Sequence, residues 1–329
     1  MVDLSIIIVN YQSLKYIDRL IASITKSKTK KNFEIIVVNN DHDLTNFSEF
    51  EEQNPGVICI QNSGNWGFAN GCNIGAKVSS GKIMLFLNPD TEICNPKTID
   101  HMVDVLESNS RIGILSCNLL DKKNQELKKD QIYRSNNPWY FFRFLDKLRN
   151  LFFNENKNNT SSIPGVIYVE YVIGAVLMIR SKDFRKVDGW NDQKFWMYFE
   201  DNDICNKVTK KLNKKIAFIK DLKIYHLGGG ASDGINFMKI EMLKSRYIYL
   251  FNNSYKLPNY SIALISIGLI IKDFFIPLLR LCFNTLIFNK VKMRKYSFQL
   301  KHVFNYYTES IRSFSWNNHR LKRDSMNDA

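Results

Sequence analysis

Apolar runs with almost no internal alternation open this chain. From Leu4 to Val9 the segment LSIIIV holds a single polar residue, Ser5, as expected for a strand covered on both faces. Leu14, Ile17, Leu20, Ile21 and Ile24 then recur at helical spacing, and FEIIVV (33–38) repeats the buried-strand pattern, which together make a βαβ unit. VICI (57–60), a glycine-rich lead into a helix around 68–78, and KIMLFL (82–87) continue the alternation up to Asp90. The pattern predicts an α/β half with a parallel sheet.

A less regular stretch from about Asn118 to Pro164, rich in Lys, Asn and aromatics, reads as an insertion. Within it PWYFFRFLDKLRNLFF (138–153) interleaves aromatic and basic residues, which suits a helix at a lipid headgroup boundary and equally a helix packed on the rest of the chain. YVIGAVLMIR (171–180) is a second apolar block; Gly174 in its middle either admits a ligand or another backbone closely or marks a bulge. In GWNDQKFWMYFEDNDICNKVTKKL (189–212) the stripe Ile204, Val208, Leu212 predicts a helix starting near Asp201 to Asp203. IAFI (216–219) reads as a short strand, and KIYHLGGGAS (223–232) as a strand end running into a glycine loop able to close over a ligand.

The most apolar region runs from Tyr260 to Phe288. Its uninterrupted part stops at Lys272 and Asp273, short of the ~20 residues a spanning helix needs. Attachment to one membrane face is therefore favoured over spanning, with an ordinary packed helical subdomain as the alternative. The terminal RLKRDSMNDA reads as disordered.

Composition narrows the partners. A length of 329 residues suggests about two domains, and a hydrophobic content of 45% supplies an ample core. Forty-six Lys and Arg against 32 Asp and Glu give a formal charge of +14, which favours an anionic partner. Zinc spacing, a helix-turn-helix cue and an RNP-like motif are all missing, which argues against nucleic acid. The six cysteines form no CxxC pair, and the N-terminus carries no signal-peptide pattern, so a reducing cytoplasm is expected. NYQSLK after the first strand lacks the glycine-rich basic loop that a nucleotidyltransferase needs.

The segment LFLNPDTEI (85–93) leaves an apolar strand and presents Asn88, Pro89 and Asp90 at its end. In an open α/β sheet, ligands sit outside the carboxyl ends of the strands, where a carboxylate can hold a divalent cation against phosphates; Asn-Pro-Asp is also plain turn composition. Four features fall in one order: SIIIVNY, NSGNWGFANGCNIG (62–75), LFLNPD, and FWMYFEDND (195–203). Together they resemble glycosyltransferase family 2 over roughly residues 2 to 250, with the closest look to bacterial rhamnosyltransferase-like members.

The resemblance implies a GT-A type fold, a mostly parallel central sheet flanked by helices, that transfers a sugar with inversion from a nucleotide-diphospho-sugar. A catalytic domain is expected over 1–230, with a nucleotide half to about 115 and an acceptor half from about 116, followed by a helical C-terminal region over 231–329. By family position Asp90 binds Mg²⁺ or Mn²⁺ bridging the donor phosphates, Asn88 stands where many members carry a first aspartate, and His226 completes the metal or phosphate site. Asp201 is the expected general base, Asp203 a helix N-cap, and Glu200 a contact to acceptor or donor sugar. Trp196 and Tyr198 either stack on a sugar ring or pack in the core, and Gly174 lies by the substrate.

For the nucleotide, Asn39 in VVNND takes the place of an acidic residue that reads the base, with Asp41 as its alternative. Tyr11 and Asn73 are placed near base or ribose, and Gly67 and Gly71 permit close backbone approach. The resemblance favours rhamnose from dTDP-rhamnose as donor, before UDP-hexoses, with an inactive relative as the rival reading. The expected acceptor is a lipid-linked glycan in surface polysaccharide synthesis, O-antigen or capsule. The charge and apolar tail place it at an anionic surface on the inner face of the cytoplasmic membrane.

Overall fold

A computed structural model describes residues 2–121, 161–227 and 271–313, with isolated positions between 241 and 268. The described residues fall into two compact units, one up to position 227 and one from 241 onward. The segment 138–153, the glycine loop after Leu227, most of the apolar stretch between 260 and 270, and the terminal RLKRDSMNDA lie outside the described residues.

The first unit is built on alternation. Strands β1 (Leu4–Asn10), β2 (Phe33–Asn39), β3 (Val57–Gln61) and β4 (Ile83–Leu87) pair in parallel in the order β3-β2-β1-β4. Every residue of β1 and β4 is buried, so both faces of these strands are covered. Odd and even positions enter two separate cores. Leu4, Ile6, Ile8, Leu85 and Leu87 meet α1 (Leu14–Lys26), α2 (Leu44–Gln53) and α4 (Thr98–Ser108) on one side. Ile7, Val9, Met84 and Phe86 meet α3 (Phe68–Val78), α5 (Ser181–Lys186) and α6 (Glu200–Leu212) on the other.

Beyond β4 the sheet becomes mixed. β8 (Val176–Arg180) runs antiparallel to both β4 and β6 (Ile112–Leu120), and β9 (Lys215–His226) is parallel to β6. β5 (Thr91–Ile93) closes that edge antiparallel to β9, which also carries β7 (Val166–Val169). Two local expectations change. The 171–180 block is half loop, its strand starting only at Val176, and the two short strands expected at 216–219 and 223–226 are one twelve-residue strand. A register shift between Cys117 and Asn118 of β6 lets β9 run through the polar Lys220–Asp221 without breaking.

The second unit contains a short π-helical turn (Ile271–Phe275) leading into α7 (Ile276–Leu286), then α8 (Lys290–Ser313), which packs on α7. Pro277 sits in the first turn of α7, where its missing N–H costs nothing. No helix among the described residues is long and apolar enough to cross a membrane.

Candidate active site at the strand ends

Each of the strands β1 to β4 gives way to an amide side chain: Asn10 ends β1, Asn39 ends β2 with Asn40 next, Gln61 ends β3 with Asn62 next, and Asn88 follows β4. Leaving the sheet, the backbone loses its ladder partners, and these short polar groups replace them. Asn10 Nδ2 donates to Asn39 Oδ1 at 2.6 Å, and the Asp41 N–H donates to the same oxygen at 3.1 Å. Asn39 Nδ2 donates to Gln61 Oε1 at 2.7 Å. A second network runs from Asn62 Nδ2 to Asn40 Oδ1 (2.9 Å) and Asn70 Oδ1 (3.1 Å), and from Asn70 Nδ2 to Asp192 (2.9 Å).

Two of the residues expected beside the nucleotide take part in bonds within the protein. Asn39 is 0% exposed, and its amide bonds Asn10, Gln61 and the Asp41 N–H, which holds the loop after β2. Asn73 clamps a neighbouring segment: its Nδ2 donates to the Trp190 carbonyl at 2.9 Å, and the Trp190 N–H donates to its Oδ1 at 3.0 Å. Asp41 and Tyr11 do lie at the open end, each partly exposed. Asp41 ties the two loops there, accepting from the Gln12 N–H at 3.2 Å and the His42 N–H at 2.8 Å. Asn10, Asn40, Asn62, Asn70 and Asp192 were missed by the sequence reading; the recurrence of an amide at the ends of β1, β2 and β3 is the signal that finds the first three, while Asn70 and Asp192 carry none.

Asn88, Asp90 and His226 come together although 136 or more positions separate the first two from the third, because β5 and β9 pair with Thr91 opposite His226. His226 Nε2 stands 3.3 Å from Asp90 Oδ1 and 3.3 Å from Asn88 Nδ2. The Leu227 N–H donates to the Asp90 carbonyl at 2.9 Å, and the Thr91 hydroxyl to the Asn88 carbonyl at 2.7 Å, fixing the turn. Asp90 is buried and His226 partly so. Among the described residues no three His, Cys, Asp or Glu side chains gather into a ready-made metal cage. One carboxylate beside one imidazole nevertheless fits a divalent ion held largely by phosphate oxygens and water, the habit of Mg²⁺, and the imidazole is acceptable to Mn²⁺.

The acidic cluster lies on α6, which begins at Glu200, so Asp201 and Asp203 fall inside the first turn and Phe199 occupies the N-cap position. Asp203 is therefore not the cap expected from sequence. The preceding Tyr198 (φ 69°) and Phe199 (φ 66°) are both left-handed, a conformation costing bulky residues about 1–3 kcal/mol each. That pair of residues leads directly into the first turn of α6, whose three carboxylates are buried. The Gly174 N–H donates to Asp201 Oδ2 at 3.3 Å, and the next residue, Ala175, accepts from the Asn88 N–H at 2.9 Å. One peptide link thus connects the strand end beside Asp90 to Asp201.

Glu200 and Asp201 are buried at the helix N-terminus, where the macrodipole favours negative charge. Burial pushes the Asp203 carboxyl above its usual range, against the pull of Lys207, whose ammonium is 3.4 Å away. Trp196 is partly buried; its Nε1 donates to the Asn65 carbonyl at 3.1 Å and its carbonyl accepts from the Phe68 N–H at 3.0 Å. Gly67 (φ +90°) is what admits it, because a Cβ there would lie 2.1 Å from the Trp196 carbonyl.

The chain is similar to known glycosyltransferases. Residues 5–161 match the family model described as glycosyl transferase family 2. An uncharacterized glycosyltransferase of Haemophilus influenzae is 30% identical over 202 residues, covering 58% of this chain and 58% of that protein. The low-salt glycan biosynthesis hexosyltransferase Agl10 of Haloferax volcanii is 26% identical over 219 residues, 64% of this chain and 62% of that protein. The chain thus spans about three fifths of the length of these curated relatives. The crystal structure of GalNAc-T7 with UDP, GalNAc and Mn²⁺ superposes with a TM-score of 0.51 at 15% identity, over 76% of this chain and 48% of that one, a likeness of fold alone. The α/β unit therefore has a GT-A type fold, and residues 5–161 of the chain match the glycosyltransferase family 2 model.

Proposed function

We propose that this protein is an inverting glycosyltransferase that moves a sugar from a nucleotide-diphospho-sugar to a hydroxyl of a lipid-linked glycan, in the making of surface polysaccharide such as O-antigen or capsule. The observation that carries the reading is the Gly174–Ala175 link, which holds Asp201 on one side and the strand end beside Asp90 and His226 on the other. An inverting transfer needs that pair of functions, a base for the acceptor and a site for the leaving diphosphate.

Asp201 takes the proton from the acceptor hydroxyl as its oxygen attacks the anomeric carbon from the face opposite the diphosphate. Gly174 orients that carboxylate through its N–H, and the contact to the sugar or the acceptor is assigned to Glu200, in the same helical turn. Asp90 and His226, with Asn88 beside them, would hold a Mg²⁺ or Mn²⁺ ion. The chemistry such an ion would supply is neutralisation of charge on the departing diphosphate. Tyr11 and Asp41 border the nucleotide, while Asn39 and Asn73 act by holding loops. Trp196 lines the sugar side.

For the donor, rhamnose from dTDP-rhamnose is favoured by the motif resemblance. A UDP-hexose is the second reading, supported by the hexosyltransferase name of the Haloferax relative and the UDP in the GalNAc-T7 structure. A donor-hydrolysis screen tests both. The protein is incubated with Mn²⁺ or Mg²⁺ and a panel of dTDP-, UDP- and GDP-sugars while nucleoside diphosphate release is followed. Release from one donor, dependent on metal and on Asp90, is expected. No release from any donor, together with no nucleotide binding by calorimetry, would make the chain an inactive relative.

A further inference from the structure

The second unit carries a face that the transfer chemistry leaves unused. Ile276, Leu279, Phe283, Leu286 and Ile287 are exposed and fall within an arc of about 100° at helical spacing, while Pro277 and Asn284 on another side are buried. Exposure peaks at the turn into α8, with Leu286 at 77%, Phe288 at 85% and Val291 at 80%. A contiguous apolar face of this kind marks an interaction site.

Charge selects the occupant. From Ile276 to Phe304 the chain holds six basic residues, Arg280, Lys290, Lys292, Arg294, Lys295 and Lys301, and no Asp or Glu. A second copy of the chain would set this positive charge against itself, whereas an anionic lipid surface satisfies both the apolar tip and the cations. α7, at 11 residues, extends ~16 Å, about half of a ~30 Å hydrocarbon layer, so it suits the interface and not a crossing.

We propose that the α7–α8 turn docks on an anionic phospholipid bilayer, with Leu286, Phe288 and Val291 at the acyl boundary and Lys290, Lys292 and Lys295 at headgroup phosphates. This gives the membrane part of the functional reading above its lipid class and contact residues, but does not depend on the transfer chemistry.

The test uses the full chain, co-sedimented with vesicles of phosphatidylcholine alone or mixed with phosphatidylglycerol, at low and high salt. Binding only to the anionic vesicles, weakened by salt, is expected. Phe288→Asn with Val291→Gln should weaken it about tenfold or more, and Lys292→Gln with Lys295→Gln by a similar factor, since each cation near such a surface contributes about fivefold. Both pairs are solvent-facing, and Asn accepts the left-handed backbone of Phe288 (φ 50°), so folding is retained. Maleimide labelling of the exposed Cys282 should slow when anionic vesicles are present. No binding, equal binding by the tip variant, or a concentration-dependent dimer that the tip variant abolishes would overturn the proposal. Donor hydrolysis by the same variants reports the transferase reading separately, so either idea can fail alone.

Discussion

Asp201 accepts a hydrogen bond from the Gly174 N–H, so its carboxylate is held in one orientation before any acceptor arrives. Asp201→Asn keeps that bond and loses the base; transfer should fall by ~10²–10⁴-fold while donor affinity, read by calorimetry, stays near the parent value. Asp203 makes a different prediction. Its folded pKa is raised above the ordinary 3.8, because burial disfavours the charged form more than Lys207 and Asn191 favour it. A raised carboxylate pKa stabilises the fold most fully below the unfolded value and loses that contribution as pH rises through the folded one. Thermal unfolding of Asp203→Asn against the parent should therefore show a difference that moves in favour of the variant between acid and neutral pH. A constant offset across that window would contradict the assignment. Asn73→Ala removes both bonds to the Trp190 backbone and should cost about 1–3 kcal/mol in denaturant unfolding.

At the level of elements, the strained turn before α6 and the glycine at the head of α3 decide how the acidic cluster meets the strand ends. Gly67→Ala would place a methyl on the Trp196 carbonyl and force a left-handed alanine, a combined cost of about 2–4 kcal/mol measurable as a shifted unfolding midpoint. Strands β1, β2 and β4 were legible in the sequence because burial on both faces leaves an unbroken apolar run. Strand β9 was not legible as one element, since Lys220 and Asp221 interrupt its apolar run and only the bulged pairing with β6 carries it through. The helix start at Glu200 was misplaced because Phe199 supplies the N-cap position with no side-chain cap, against the usual preference for Ser, Thr, Asp or Asn.

Across the whole molecule, six cysteines report on packing. Cys94 and Cys282 are exposed, whereas Cys72, Cys117 and Cys205 are buried with their thiols pushed up by desolvation, and Cys59 is pushed up to about 11. Maleimide labelling of the native protein, read by peptide mass spectrometry, should modify Cys94 and Cys282 and reach the buried three only in denaturant; early labelling of Cys117 would mean that the central sheet is not packed as described. The pairing of β5 with β9 is the other global fact, since it joins Asp90 to His226 across the chain.

The sequence by itself determined the parallel α/β half, the position of Asp90 at a strand end and the acidic first turn of α6, because these depend on local periodicity and on residues adjacent in the chain. Only the tertiary structure decided which polar groups face outward. Asn39 and Asn73 bond partners 22 or more positions away, Gln61 and Asn10 for one and Trp190 for the other, which no linear reading shows. An amide has four hydrogen-bonding sites and no sequence signature for where they are spent, so its role is fixed by which strands and loops the fold sets beside it.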